Sequence, residues 1–145
     1  MKERPRLGVG ALVFYDSKIV LLKSPKWRGR YIVPSGHVRF GEKLEDAVIR
    51  EVREETGLEV YDLEFLTYVE LINSPQYFRR DLHFVGLQYA CKSKTDKVRL
   101  NVEATDYVWI DPKKALDVNL EQVTRKTIMY WLSKYGPSEG SRQRS

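Results

Sequence analysis

Apolar residues cluster along the first third of the chain in blocks that predict strands followed by a helix. Two β-branched runs, Leu7 to Tyr15 and Lys18 to Leu22, are separated by two polar residues and predict a hairpin with a tight turn. A short run from Tyr31 to Val33 predicts another strand. Helical spacing of apolar residues then extends from about Lys43 to Thr56, and Gly57 is suited to end that helix.

The remainder of the chain predicts three more strands and two helices. Val60 to Asn73 forms one long or bent strand, and His83 to Lys92 is its partner through a hairpin-like connection. Asp106 to Ile110 is a further strand, and Asp111-Pro112 starts a short helix with Asp111 as its N-cap. A helix from Glu121 to Tyr135 should pack on the sheet through an apolar face. That face consists of Val123, Ile128, Trp131 and Leu132.

The first predicted helix places carboxylates on the face that should be buried. Its apolar stripe is formed by Leu44, Ala47, Val48 and Val52. Glu51 and Glu55 fall inside this stripe and Glu54 lies on its edge, whereas Arg50 is assigned to the solvent side. An unpaired buried charge costs several kcal/mol, so we expect a cation to meet these groups. Carboxylates at this spacing can share Mg²⁺ or Mn²⁺; the alternative is a solvated helix with salt bridges.

The spacing of residues from Gly36 to Leu58 narrows these alternatives. Gly36 is followed after five residues by Glu42, and after seven more by the run REVREETGL. This segment resembles the Nudix box, GX5EX7REUXEEXGU with U an aliphatic residue, and it matches at every specified position. An aromatic-Pro lead-in, Tyr31 to Pro34, precedes the box as it does in Nudix hydrolases of the MutT-like type.

The resemblance implies an α/β/α sandwich with a mixed central sheet, and divalent-metal-dependent hydrolysis of a nucleoside diphosphate linked to another group. The metal would be Mg²⁺ or Mn²⁺. It also implies roles for Arg50, which would orient a glutamate, and for Glu42, which would support the loop-helix geometry. Metal ligands implied by the family pattern are Gly36 through its carbonyl, Glu51, Glu54, Glu55 and Glu103, one of the glutamates acting as base. Asp106 is the alternative candidate for the role of Glu103. Glu103 could instead be a solvated loop residue with no role in the site.

Basic and aromatic residues around the box indicate where a substrate would bind. The basic segment from Lys18 to Arg30 contains no acid and could hold phosphates. Trp27 could stack on a nucleobase or form a lid or dimer contact. The loop from Asn73 to Arg80 is a second candidate for substrate or dimer contacts. The candidate substrate-binding residues are Lys23, Trp27, Arg28, Arg30, Tyr31, Arg39, Tyr77 and Arg79. His37 is expected to be solvent-facing or structural.

The substrate class stays open, because Ser35 and Arg39 depart from the common family pattern of a second glycine and an acid. ADP-ribose or a similar nucleotide sugar is the first expectation. Nucleoside triphosphates, including damaged ones, and dinucleoside polyphosphates are alternatives. A non-catalytic nucleotide-binding or RNA-binding module on the same scaffold is the rival from another class, favoured by a net charge of +5 and a pI of 9.3. The resemblance also makes a homodimer plausible.

Length and composition set the remaining expectations. The 145 residues suffice for one domain, predicted over 1–135, followed by a polar, disordered tail over 136–145. No apolar run is long enough for a membrane span and the first residues lack a signal-peptide pattern, so we expect a cytoplasmic location. Cys91 is the single cysteine, so an intramolecular disulfide is excluded. We expect its side chain to be a small, half-buried hydrophobic group.

Overall fold

The computed structural model describes residues 4–79 and 81–136, and within these residues seven strands form one sheet with helices on both faces. The predicted tail lies outside the described residues from position 137 onward, as does Arg80. The strands are β1 (Arg6–Tyr15), β2 (Lys18–Ser24), β3 (Arg30–Ile32), β4 (Ser35–His37), β5 (Val60–Ile72), β6 (His83–Ser93) and β7 (Asp106–Ile110). The helices are α1 (Leu44–Thr56), α2 (Pro112–Ala115) and α3 (Gln122–Tyr135).

The predicted hairpin is formed by β1 and β2. Its two turn residues, Asp16 and Ser17, have φ values of 52° and 67°, which is the geometry that matches the twist of a two-residue hairpin. The two strands pair only next to the turn, where Phe14 lies opposite Ile19. The first half of β1 is therefore open to another partner.

Strand β4 takes that position, and this pairing was missed at the sequence level. No strand is predicted for Ser35 to His37, yet they pair antiparallel with β1, with Gly8 opposite His37 and Gly10 opposite Ser35. The unpaired backbone groups of β1 provide the reason, since a buried strand edge must be hydrogen-bonded. The start of the box is consequently fixed to the centre of the sheet.

Alternate residues of β1 face opposite layers of the fold. Val9, Ala11 and Val13 pack with the apolar face of α1, while Leu12 packs in the layer that contains Ile128 of α3. β1 pairs parallel with β6 and the other strand pairs are antiparallel, so the sheet is mixed. The α/β/α sandwich is confirmed.

The helix ends follow the predicted chemistry. Gly57 ends α1 with φ 75°, and its backbone N–H donates to the Arg53 carbonyl at 2.8 Å. Asp111 caps α2 by accepting from the backbone N–H of Lys113 at 2.8 Å. On α3, Ile128 is fully buried. Among the described residues, every helix is too short or too polar to cross a membrane.

Candidate active site

Helix α1 presents its carboxylates toward β4, as the Nudix-box spacing implies. Gly36 of β4 lies directly against Glu51, because a Cβ added at position 36 would overlap the Glu51 carboxylate. Glu55 is 6% exposed and accepts a hydrogen bond at 3.0 Å from the backbone N–H of Ser35. The absence of a side chain at position 36 thus allows the helix to approach the strand closely.

Arg50 does not face solvent as the helical wheel predicted. Its side chain is 17% exposed and turns back to join the loop and the helix. The guanidinium donates to both carboxylate oxygens of Glu42 at 2.7 and 2.9 Å, to Glu51 at 2.7 Å, and to the His37 carbonyl at 2.9 Å. A long arginine side chain can bend away from the direction in which its Cα–Cβ bond points, and these hydrogen bonds compensate for its partial loss of water.

Arg50 also controls the charge of its partners. Its hydrogen bonds lower the pKa of Glu42 to about 2, so Glu42 is ionised at neutral pH. Glu54 is more exposed and lies 3.4 Å from Arg50 and 3.6 Å from Arg39. This arrangement fits the orienting role implied for Arg50 and the supporting role implied for Glu42.

Glu55 is the most perturbed carboxyl group of the site. Burial raises its pKa well above the ordinary value, although the Ser35 hydrogen bond opposes the shift. The negative charges of Glu51 and Glu103 raise the pKa further. Three acidic side chains therefore converge on one region, and a buried position with excess negative charge is typical of functional sites.

Glu103 reaches this region from outside the box. It lines the same cavity as Glu51, Glu54 and Glu55, and lies 3.7 Å from the Lys26 ammonium. Asp106, the alternative to Glu103, does not line the cavity and occupies an exposed position at the start of β7. The geometry therefore favours Glu103 as the additional ligand or base.

The carboxylates form one part of a cavity of about 350 Å³. Another part is aromatic: the ring centroid of Trp27 lies 4.5 Å from the ring centroid of Tyr77 and 6.5 Å from that of Phe84. Trp27 is only 8% exposed, so it is a cavity wall and not the free loop residue that a lid or dimer contact requires. The volume lies within the range of small-molecule sites, toward its lower end.

Only some of the predicted substrate-binding residues line this cavity. Trp27, Arg39 and Tyr77 do so. The remaining five do not line it: Lys23, Arg28, Arg30, Tyr31 and Arg79. Arg28 donates to the Pro75 carbonyl and Arg30 to the Trp27 carbonyl, at 3.1 and 3.3 Å, so each stabilises the loop that carries the wall.

Several further polar residues line the cavity without having been singled out as binding residues. They include Lys26, His37, Gln88, Glu121 and Thr124. Lys26 belongs to the basic segment from Lys18 to Arg30, although it was not among the candidate binding residues. His37 is half-buried, and its Nδ1 has no hydrogen-bond partner among residues 4–79 and 81–136. Gln88 and Glu121 come from β6 and the start of α3, and no local sequence signal identified them.

The donor set fits a divalent cation. Glu51, Glu54, Glu55 and Glu103 offer only oxygen ligands, the kind that Mg²⁺ and Mn²⁺ prefer, and a cation would relieve the repulsion that raises the pKa of Glu55. As placed, no three acidic, histidine or cysteine side chains among residues 4–79 and 81–136 are grouped closely enough to hold a metal. Arg50 bonds only one oxygen of Glu51, which leaves the other oxygen for a cation.

Cys91 has no part in this chemistry. It is 2% exposed in β6, and burial raises the pKa of its thiol to about 12. The thiol therefore stays protonated near neutral pH, which is unsuitable for a nucleophile. The predicted hydrophobic role is confirmed, with fuller burial than expected.

Comparison with known proteins identifies the family. A family model described as "NUDIX domain" matches residues 4–132. The chain is 30% identical over 134 residues to the nucleoside triphosphatase NudI of Escherichia coli, covering 86% of this chain and 95% of NudI. The family model and this relative indicate a hydrolase of acid anhydrides. The chain belongs to the Nudix family and is a pyrophosphohydrolase.

Solved structures show the same fold. A MutT NUDIX hydrolase from Burkholderia pseudomallei aligns with a TM-score of 0.75 and 27% identity, covering 88% of this chain and 98% of that one. The NUDIX domain of Shewanella oneidensis NrtR, solved with ADP ribose, aligns with a TM-score of 0.75 and 19% identity, covering 92% and 90%. The second comparison carries the fold alone.

Proposed function

We propose that this chain hydrolyses nucleoside triphosphates to nucleoside monophosphates and pyrophosphate, with Mg²⁺ or Mn²⁺ as cofactor. The observation that carries the proposal is that one cavity combines the carboxylates of α1, the cations Lys26 and Arg39, and the aromatic wall at Trp27. These parts match the needs of a metal-bound phosphate chain and a nucleobase. The similarity to a nucleoside triphosphatase over 86% of the chain supports this substrate before ADP-ribose.

The residues of the chain have separable tasks in this reaction. Lys26 and Arg39 attract and hold the phosphate chain, and Arg50 keeps Glu51 in position beside Gly36. A carboxylate of the cluster accepts the proton of the attacking water as the water oxygen bonds to phosphorus and the pyrophosphate oxygen leaves. A bound Mg²⁺ or Mn²⁺ would neutralise phosphate charge and make that water more acidic.

A product assay tests the proposal. The purified chain is incubated with nucleoside triphosphates, ADP-ribose and dinucleoside polyphosphates in Mg²⁺, and phosphate, pyrophosphate and nucleoside monophosphate are quantified. We expect pyrophosphate and monophosphate in equal amounts from triphosphates, and no turnover in EDTA. AMP with ribose phosphate as the dominant product pair would instead favour the nucleotide-sugar reaction.

Variants separate catalysis from a contaminating activity. We expect Glu55→Gln to lose most turnover, because the buried carboxylate is removed with little change in volume. Asp46→Asn is the matched control, since Asp46 is an exposed acid on the same helix and does not line the cavity. A wild-type rate from purified Glu55→Gln would rule out the assigned site.

We further propose that the chain forms a homodimer, although Trp27 no longer supports this proposal. Trp27 is buried in the aromatic wall, whereas Phe78 is 49% exposed and could contribute to a contact between copies. Light scattering at several protein concentrations measures the state directly, and a constant monomer mass would contradict the prediction.

A further inference from the structure

Gln88 is a buried polar side chain on the cavity wall that the hydrolysis of phosphate does not use. It is 3% exposed and lies on β6, two residues after Gly86 and four after Phe84. Because alternate residues of a strand face the same side, Phe84, Gly86 and Gln88 form one row, and all three line the cavity. The row extends from the aromatic wall toward α3.

Hydrogen bonds with α3 fix the orientation of the Gln88 carboxamide. The Thr127 hydroxyl donates to the Val123 carbonyl at 2.8 Å, so its proton is already used. The Thr127 oxygen can then only accept, and it accepts from Nε2 of Gln88 at 3.0 Å. The amide nitrogen must therefore face the helix. Oε1 of Gln88 points away from it and accepts no hydrogen bond from residues 4–79 and 81–136.

Two glycines make room for the carboxamide. A Cβ at Gly10 would lie 3.0 Å from Oε1 of Gln88 and 2.9 Å from Nε2, and a Cβ at Gly86 would lie 3.2 Å from Oε1. Side chains at these positions would crowd the amide and cover the sheet surface beside it. With Trp27 and Phe84 on the adjacent wall, this bare surface is suited to a flat aromatic ring.

A second acceptor lies in the same cavity. Glu121 is 3% exposed, and its carboxylate accepts from the backbone N–H groups of Val123 and Thr124 at 2.6 and 3.0 Å. Glu121 precedes α3, the helix that also carries Thr127. The cavity surface near the start of α3 therefore offers acceptors, and a ligand edge that carries donors is the complement.

We propose that Gln88 selects nucleobases with an exocyclic amino group, and that Thr127 is the positioning residue that fixes its carboxamide. The inference rests on the proposed function for the location of the base. The amino group would donate to Oε1, while the remaining N–H of Nε2 can donate to the adjacent ring nitrogen. Glutamine recognises adenine in this bidentate way in other settings.

Matched substrates test this selection. CTP and UTP differ at the C4 position as amino and keto forms, and ATP and ITP differ likewise at C6. We expect kcat/KM to be about tenfold or more higher for the amino member of at least one pair, the size of one bidentate contact. In Gln88→Met the ratio should fall to near one, because the chain length is kept and the amide is lost.

Thr127 provides a matched pair of variants. Thr127→Val removes the acceptor with little change in shape, so the carboxamide can rotate and the amino-to-keto ratio should fall by about threefold or more, within the range expected for one lost hydrogen bond. Thr127→Ser keeps the hydroxyl and should keep the ratio. If Thr127 only supported the fold, Thr127→Val and Thr127→Ser would change the amino-to-keto ratio to the same extent. If Gln88→Met does not fold, as judged by thermal unfolding, this pair decides the question.

The failure of this inference differs from the failure of the proposed function. Wild-type ratios near one in both substrate pairs, with normal pyrophosphate release, would overturn base selection by Gln88 alone. Calorimetric binding of CMP and UMP, and of AMP and IMP, does not depend on turnover. Tighter binding of the amino member without triphosphate hydrolysis would uphold the base site and reject the proposed reaction.

Discussion

The carboxylate of Glu51 occupies the space that a side chain at position 36 would fill. Glycine at this point is therefore a requirement of the contact between β4 and α1, in addition to any role of its carbonyl. Ser35, one residue earlier, contacts Glu55 through its backbone N–H. Since that bond uses no side-chain atom, a serine at this position leaves the carboxylate cluster intact.

Gly36→Ala should displace Glu51 while the protein still folds. The overlapping atoms are the end of a flexible side chain, so the clash can be relieved by moving the carboxylate. We expect Mn²⁺ affinity to fall about 10-fold to 100-fold, the scale seen when a metal site loses its orientation. Titration calorimetry measures the affinity and thermal unfolding checks the fold. Unchanged Mn²⁺ binding would show that Glu51 is not needed in this position.

Glu55→Gln should separate activity from stability. Loss of a proton-transfer or ligand group is expected to lower kcat about 10²-fold to 10⁴-fold. In EDTA the variant should melt at or above the wild-type temperature, because burial and the charges of Glu51 and Glu103 disfavour ionised Glu55. The gain should grow as pH rises above 4.5, where the unfolded chain ionises freely. A lower melting temperature across that range would contradict this account.

Ionised Glu42 stabilises the folded protein, whereas ionised Glu55 destabilises it. Its folded pKa of about 2 lies below the ordinary value of 4.5, so its ion pair with Arg50 stabilises the fold above pH 4.5. The difference in melting temperature between wild type and Glu42→Gln should be constant near neutral pH and shrink as pH falls from 4.5 toward 2. Glu45→Gln, an exposed acid of α1, is the control and should show little difference.

Cys91 should be unreactive in the folded protein. Its thiol is buried and has a pKa of about 12, so the thiolate is scarce at pH 8. Ellman's reagent should label less than a tenth of the native protein in the time that labels the guanidinium-unfolded chain fully, a contrast expected from burial. Rapid one-to-one labelling of the native chain would show that β6 opens readily.

The fold and the common face of Glu51 and Glu55 could be predicted from the sequence because both depend on local spacing. Helical periodicity brought Glu51 and Glu55 to one face, and the turn chemistry of Asp16 and Ser17 set the hairpin. Arg50 was misplaced because a helical wheel treats each side chain as radial. The arginine instead bends to reach Glu42 and the loop, which lie outside the helix.

The binding part of the site was less predictable because distant segments build it. Trp27 was read as a loop residue, but it is buried against Tyr77 and Phe84, which follow far later in the chain. Gln88 acquires its orientation from Thr127, on a different element. No periodicity or short motif encodes such pairings, since they arise from how the sheet and α3 come together.

The parallel pairing of β1 and β6 affects the order in which the enzyme folds. Arg6 of β1 lies opposite Phe84 of β6. Strand β1, which supports the box, can therefore pair fully only after β6 is available, and β6 follows both α1 and β5 in the chain. Contacts between such distant segments slow folding, since a long loop must close first. During synthesis, the glutamates of α1 are therefore made well before the strand that completes their cavity, and catalytic competence should emerge only in the late steps of folding.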